Sequence, residues 1–399
     1  MTVTNLKKTP RSHGSVRRLI SAITFLFLIA GSAVSLRAQQ EKLAQTPPMG
    51  WNDWYQYECK ISDATMRAQA DALVSTGMKA AGYIYVNIDD CWMGKRDAQG
   101  NIQPNSNFPD MKALGDYIHS KGLKFGIYTS PGPTTCADQE GSYQHEEQDA
   151  RTYASWGVDF LKYDWCSAQD VYRPDEMQGA YKKMHDAILR TGRPMVYSLC
   201  QYGFQSVWEW GASVGGNMWR TTEDIGGNYR RWSLFAFQNN GLEKYAGPGH
   251  WNDPDILLIG IGKTNLDEDR AQMTLWSILA APLLAGNDLT KMSPEILAIL
   301  ANPEVIAVDQ DPNGIQGRRV WQEGPLEVWM KPLSDGSKAV GMFNRSVGPL
   351  PVTLRFSDVG IMGKASVRDL WARKDLGVFK DSYTVEIPRY GAALLKVRP

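Results

Sequence analysis

Val158-Asp159-Phe160-Leu161-Lys162-Tyr163-Asp164-Trp165-Cys166 is the stretch that decides the fold. Its apolar opening reads as a strand over Val158–Tyr163, and it closes on an acid, so polar chemistry sits at the strand's C-terminal end. A helical pattern follows. Between Pro174 and Gly192, the residues Met177, Tyr181, Met184 and Ile188 share one helical face, and Gly192 supplies the stop. A second strand, Met195–Leu199, comes directly after. Two strands joined through a helix form a parallel crossover unit.

The unit repeats in both directions. Strands are expected upstream at Pro48–Trp51, Tyr83–Ile88 and Lys124–Thr129, and downstream at Asn217–Thr221, Gly249–Asn252 and Pro282–Gly286. Helices fall between them. Ser62-Asp63 caps one that Gly77 ends, and Pro109–Gly122 carries Met111, Leu114 and Ile118 on one face. Asp267–Ala281 and Pro294–Ile306 read as two more, whereas loops appear long from Cys200 to Leu258. Eight strand–helix units predict an α/β fold, a (β/α)8 TIM barrel over residues 39–316. After about Gln316 the texture changes. Val320–Pro332, Lys338–Arg345, Pro351–Phe356, Ala365–Leu370 and Tyr383–Val397 alternate or run apolar, with Asp335-Gly336 as a hairpin turn. Residues 317–399 therefore read as a small C-terminal antiparallel β-sandwich domain.

Barrels of this kind place their chemistry at the C-terminal ends of the strands. Asp89-Asp90, Tyr128, Asp164, Cys200, Asp224 and Asp255 all lie at or just past those ends. Lys162 and Asp164 point to the same side of their strand, and a Lys beside an acid favours its ionised, nucleophilic form. Trp219-Arg220-Thr221-Thr222-Glu223-Asp224 delivers a second acid in the same way, with Arg220 on the face of Asp224 if the strand stays regular that far. Two carboxyls in one pocket are the minimum equipment for cleaving a glycosidic bond. A structural ion pair is the alternative reading of each motif. Asp89-Asp90 suits hydroxyl binding better than metal, because the five His residues are scattered and no zinc-type spacing occurs. Trp54 and Trp92 are candidates for an apolar platform under a sugar face.

The first 38 residues are a different material. Lys7, Lys8, Arg11, Arg17 and Arg18 precede an apolar run from Leu19 to Ala30, and Leu36-Arg37-Ala38 resembles a cleavage site. This reads as a signal peptide, with an uncleaved anchor as the alternative. Its removal leaves 37 basic against 43 acidic residues, a poor balance for nucleic acid. Export, to the periplasm or outside the cell, would permit disulfides. Cys59 with Cys91, and Cys136 with Cys166, would join loops after adjacent strands, leaving Cys200 odd.

These residues together resemble the family 27 glycoside hydrolases, the α-galactosidase and α-N-acetylgalactosaminidase group. The resemblance rests on Pro48-Met49-Gly50-Trp51, Ile88-Asp89-Asp90-Cys91-Trp92-Met93, Gly126-Ile127-Tyr128, Leu161-Lys162-Tyr163-Asp164 and Trp219-Arg220 with Asp224-Ile225. Ala246-Gly247-Pro248-Gly249, Trp251-Asn252-Asp253-Pro254-Asp255, Asn287-Asp288-Leu289 and Asp309-Gln310-Asp311-Pro312 extend it. The resemblance implies that Asp164 is the nucleophile and Asp224 the acid/base. It implies that Asp89 and Asp90 bind O6 and O4 of galactose, that Lys162 reaches O3 and O4, and that Trp54 packs on the sugar. Tyr128 would sit near the nucleophile, and Arg220 and Asp255 would hold O2 and the acid/base region. The two disulfide pairs match those many members share. The departure is Ser198-Leu199-Cys200-Gln201-Tyr202-Gly203, where plant-like members often read Cys-Glu-Trp. Cys200 suits a free 2-hydroxyl, with Tyr202 in the place of Trp.

The expected activity is a retaining exo-α-galactosidase acting on α-galactoside oligosaccharides, polysaccharides or glycoconjugates, with no cofactor, metal or nucleic acid. α-N-Acetylgalactosaminidase is the closest alternative and β-L-arabinopyranosidase a further one, against which Asp90 argues. No stable membrane association is expected once the signal is cleaved. The oligomeric state stays open, a homodimer being one option.

Overall fold

The computed structural model describes residues 1–2 and 43–399, so the expected signal peptide lies almost wholly outside the described residues. Eight parallel strands form the first sheet: β1 (Met49–Asn52), β2 (Tyr85–Asn87), β3 (Lys124–Thr129), β4 (Phe160–Asp164), β5 (Val196–Cys200), β6 (Met218–Arg220), β7 (Trp251–Asp253) and β8 (Leu283–Ala285). They pair in chain order from β1 to β7, with β8 on the far side of β1. The ring closes just beyond β7, where Leu257 bridges to Ala285 and its N–H donates to the Leu284 carbonyl (2.8 Å). Between β7 and that bridge the chain bends at Pro254-Asp255, and Asp255 takes a φ of +102°. The eight expected strands are all present, and the TIM barrel reading holds.

Strand register explains why the barrel is apolar below and polar above. Phe160 pairs with Val196, Lys162 with Ser198, and Asp164 with Cys200; Met218 pairs with Trp251, and Arg220 with Asp253. Side chains alternate faces along a strand. Tyr85, Phe160, Val196, Met218, Trp251 and Leu284 therefore cluster as an apolar floor. Two residues higher come Lys162, Ser198, Arg220 and Asp253. The intervening Leu161, Leu199 and Trp219 point outward and bury themselves under the helices. Each strand is covered on both faces, as a parallel sheet requires.

The helices follow local signals. Ser62 caps Asp63–Ser75, and Gly77 beyond its end has φ +85°. The helix expected over Pro294–Ile306 is two, Pro294–Leu300 and Pro303–Asp309. Pro303 has no N–H to continue the first, and the Asn302 side chain caps the second through Glu304 and Val305. The helix Glu146–Trp156 has no apolar stripe to announce it. Its buried face includes two acids, Glu146 and Asp149, paired with Lys183 (2.7 Å) and Arg96 (2.7 Å). The Cys200–Leu258 region holds short helices, the longest being Tyr229–Ala236.

From Gly317 onward the chain is β. Six strands pair as one antiparallel sheet: β9 (Arg318–Glu323), β10 (Leu326–Pro332), β11 (Lys338–Asn344), β13 (Lys364–Asp369), β14 (Lys374–Lys380) and β16 (Ala392–Arg398). The remaining two, β12 (Leu350–Arg355) and β15 (Ser382–Ile387), form the second sheet. Val328, Met342, Leu354, Phe356, Val367 and Leu395 fill the space between the sheets. The expected single run Val320–Pro332 turns at Gly324 (φ +56°) into β9 and β10, and Tyr383–Val397 likewise divides into β15 and β16. Strand β14 is largely exposed, so no alternation marks it in the sequence. The sequon Asn344-Arg345-Ser346 is closed to modification in the folded chain, since Asn344 is fully buried and its amide donates to Gly348 and Ile387 carbonyls. Lys331 on β10 crosses to the barrel, donating to the carbonyls of Asp309 (3.1 Å) and Ser277 (3.4 Å). Among the described residues no helix is long and apolar enough to cross a membrane.

Candidate active site

The upper, polar layer of the barrel is a connected set of carboxylates and cations. Asp164, the last residue of β4, is 4% exposed. Its Oδ1 accepts the Tyr202 hydroxyl at 2.7 Å, and Lys162 Nζ lies 3.9 Å from its Oδ2. Lys162 is closer to Asp89, at 2.8 Å, and Asn52 donates to the same Asp89 oxygen at 2.8 Å. The principal partner of Lys162 is thus Asp89 rather than the neighbour two residues on. Burial pushes the Asp164 carboxyl up to about 6, against the lowering effects of Lys162 and the Tyr202 hydrogen bond. Burial would discharge Lys162, but the charges around it, Asp89 first, outweigh that and raise it.

Asp90 is held rigidly. Its Oδ1 accepts from the Cys91 N–H (2.7 Å) and the Thr135 hydroxyl (2.8 Å), and its Oδ2 from the Ala137 N–H (2.9 Å). Thr135 and Ala137 flank Cys136, which is disulfide-bonded to Cys166, while Cys91 is bonded to Cys59. Both expected pairs form, and each ties a strand-end loop beside an acid. Cys200 is the free thiol, fully buried, and burial raises its pKa well above the ordinary value.

The opposite wall is built on Arg220. Its Nη2 lies 2.9 Å from Asp224 Oδ1 and 3.2 Å from Asp255 Oδ2, and its Nη1 is 3.7 Å from the Cys200 sulfur. The Asp224 side chain is 56% exposed, at the mouth. Partial burial pushes it up, but Arg220, Lys162 and Arg231 together hold it below the ordinary carboxylate value. Asp255 is pinned on every side. Tyr55 donates to its Oδ2 (2.6 Å), as does the Ile225 N–H (3.1 Å), and its Oδ1 takes the Ile256 N–H (2.7 Å). Those partners maintain its left-handed backbone, a conformation costing about 1–3 kcal/mol when unsupported.

Tyr128 is buried, its hydroxyl 3.5 Å from the Cys166 sulfur and its ring facing Lys162. Trp54 is half-buried at the end of β1. Trp92 does not supply a platform. It is fully buried, packs edge-on against Tyr153 and Trp156, and donates to the Tyr128 carbonyl. Asn52, Asp53, Tyr55, Thr135 and Asp253 escape the sequence reading. Asp53 is fully buried, its Oδ1 accepting the Asp89 N–H, and burial and Asp89 raise it well above the usual range. Asn52, Asp53 and Asp253 obey the strand-end rule that marks the others, so extending Pro48–Trp51 by two residues would have found the first two. Among the described residues Cys136, Cys166 and Asp164 bring potential metal ligands together, but both sulfurs are bound in the disulfide.

A barrel followed by a β-sandwich is also what relatedness finds. The family described as Alpha galactosidase A matches residues 46–311, and its C-terminal β-sandwich domain matches residues 323–397. The chain belongs to glycoside hydrolase family 27. Among family 27 relatives, the "Alpha-galactosidase A" of Cellvibrio japonicus is 44% identical, covering 94% of this chain and 98% of its own. The crystal structure of α-galactosidase I from Mortierella vinacea superposes with a TM-score of 0.85 at 34% identity, covering 89% of this chain and 97% of that one. An α-N-acetylgalactosaminidase of Gallus gallus is 38% identical over 90% of this chain and 94% of its own.

Proposed function

We propose that this family 27 glycoside hydrolase is a retaining exo-α-galactosidase, with Asp164 as nucleophile and Asp224 as acid/base. The observation that carries the reading is the contrast between the two acids. Asp164 is buried in the polar layer beside Lys162, while Asp224 stands at the mouth where a leaving group departs. Asp164 attacks the anomeric carbon as Asp224 protonates the departing oxygen; water activated by Asp224 then releases α-galactose.

The acid role requires a proton on Asp224, which Arg220 opposes in the open pocket. Arg220 also has Asp255, so Asp224 can give up that contact without stranding a buried cation. A bound glycoside would exclude water from Asp224 while Asp164 is still negative, and both effects raise its pKa. Glycosylation of Asp164 removes that negative charge, so Asp224 becomes more acidic and suits the base role in the second step.

Galactose rather than its 2-acetamido analogue is supported by the crowding at Arg220. Cys200 and the Tyr202 ring both close on the guanidinium where the family resemblance puts O2. The identities lean the same way, 44% to an α-galactosidase against 38% to an α-N-acetylgalactosaminidase. Export is supported by the two disulfides, which suit an oxidising compartment.

The test is proton NMR of the first turnovers of an aryl α-D-galactopyranoside. α-Galactose should appear before β-galactose. Early β-galactose means inversion and removes Asp164 from the nucleophile role. No product, with turnover of the N-acetylgalactosaminide, moves the assignment to the alternative.

A further inference from the structure

The loop between β15 and β16 carries Tyr390, whose backbone takes φ +58°. So bulky a residue holds a left-handed backbone only where its surroundings fix it. Asn344 on β11 does the fixing. Its N–H donates to the Gly391 carbonyl (3.1 Å), and its side-chain amide donates to the carbonyls of Ile387 (2.9 Å) and Pro388 (3.3 Å). The loop is thus held on both sides of Tyr390. Its ring is thereby laid flat on Tyr229 of the barrel domain, with centroids 4.2 Å apart and planes 15° apart, and both residues are buried. Tyr229 opens the helix Tyr229–Ala236, and two residues on, Arg231 Nε donates to the Asp224 carbonyl at 2.8 Å. Between Asp224 and that helix lie Gly226 and Gly227, both at positive φ (+31° and +51°). Two glycines in a row leave the segment free to wander unless its ends are pinned. One pin is the Ile225 N–H on Asp255; the other is Arg231, on a helix whose first turn rests against Tyr390.

We propose that Tyr390 of the sandwich domain is a positioning residue for the reaction: its stack on Tyr229 fixes the helix from which Arg231 holds the backbone of Asp224. The inference rests on the reading of Asp224 as acid/base, and it gives the sandwich domain a part in the proton transfer. A general acid must stand within hydrogen-bond reach of the departing oxygen, and a misplacement of about 1 Å is enough to slow such a step. Asp164 has no such dependence. It ends a barrel strand, and its partners Tyr202 and Lys162 belong to the barrel. Loss of the Tyr390 ring therefore disturbs the acid and leaves the nucleophile in place.

The experiment compares a galactosyl-(1→6)-glucose disaccharide, whose leaving oxygen needs a proton, with α-galactosyl fluoride, whose fluoride departs without one. In Tyr390→Ala the ratio of kcat/KM, disaccharide over fluoride, should fall about tenfold. Tyr390→Leu, which fills the space without a flat ring, should lower the same ratio. Tyr390→Phe keeps the stacked ring and should restore it. Leu354→Ala removes a side chain buried between the two sheets of the sandwich, away from the barrel, and serves as the control for lost stability. It should lower the melting temperature and leave the ratio unchanged. An unchanged ratio in both Tyr390→Ala and Tyr390→Leu overturns the proposal. An equal fall in Leu354→Ala also overturns it, because the sandwich would then act through stability alone. Failure of the α-galactosidase reading looks different: the parent enzyme would turn over neither substrate, and the positioning role would fall with it.

Discussion

The Tyr202 hydroxyl donates to Asp164 Oδ1 at 2.7 Å, across the end of β5 and from a residue held at φ +62°. One phenol thus orients the proposed nucleophile and opposes the burial that raises its pKa. Tyr202→Phe should keep the fold and remove only that donor. The acidic limb of the kcat/KM profile should then move up, by about one unit. A pH–rate series on an aryl galactoside checks this. An unmoved limb would mean that the hydroxyl does not act on the ionisation of Asp164.

Burial also makes Asp164 a cost to folding. Its carboxyl titrates near 6, above the ordinary value, so ionising it at neutral pH disfavours the folded state. That penalty is absent below the ordinary carboxylate pKa and is fully present above about pH 6. Asp164→Asn should therefore abolish turnover yet melt higher than the parent at pH 7, by on the order of 2–3 kcal/mol. The gain should shrink as the pH falls to 5. Scanning calorimetry at both pH values is the measurement, and a lower melting point at pH 7 would refute the account.

The proposed division of labour between the acids has a chemical signature. Asp224→Ala should lose hydrolysis of disaccharides by about 10²–10⁴-fold, the usual worth of general acid catalysis. Activated substrates should still glycosylate Asp164. Azide should then restore turnover and yield α-galactosyl azide, because a small anion needs no base. β-Galactosyl azide from this variant would exchange the two roles.

The Cys136–Cys166 disulfide anchors the loop whose Thr135 and Ala137 hold both oxygens of Asp90. Replacing both cysteines with Ser should raise KM for galactosides about tenfold, more than it changes kcat. It should also destabilise the chain by about 3 kcal/mol. Steady-state kinetics and a melting curve test the two effects separately. A normal KM would show that Asp90 holds its place without the loop.

Lys331 joins the two domains by a buried cation. Burial works against the charge of Lys331 and of Asp309, lowering the pKa of the first and raising that of the second, and each charge opposes the other's shift. Lys331→Met alone should destabilise the protein by about 3–5 kcal/mol, because Asp309 loses its counter-charge. The double change with Asp309→Asn should recover most of that. Denaturant unfolding of the single and double variants decides it, and equal losses in both would place the effect in packing.

The barrel and the strand-end acids were legible because the signals are local. A strand flanked by helix patterns announces itself in a dozen residues, and alternation alone puts Lys162 with Asp164 on a common face, whereas β6 ends at Arg220 and its contact with Asp224 is made through the loop that follows. Local signals also mislead. Pro294–Ile306 looks like one helix until the Asn302 cap and Pro303 are weighed, and Trp92 looks like a sugar platform until its neighbours bury it. The helix Glu146–Trp156 and the edge strand β14 carry no apolar periodicity, one because its buried acids pair with distant cations, the other because it is exposed.

Sequence by itself determined the barrel, the sandwich, the two cysteine pairs and which acids stand at strand ends, since each depends on spacing along one segment. Tertiary structure decided the partners. Lys162 belongs first to Asp89, 73 residues away, and Tyr202 belongs to Asp164, 38 residues away. Arg220 divides itself between Asp224 and Asp255. Such choices arise when eight strands close into a ring and converge their ends. The burial that raises Asp164 and the charges that lower Asp224 come from the same closure.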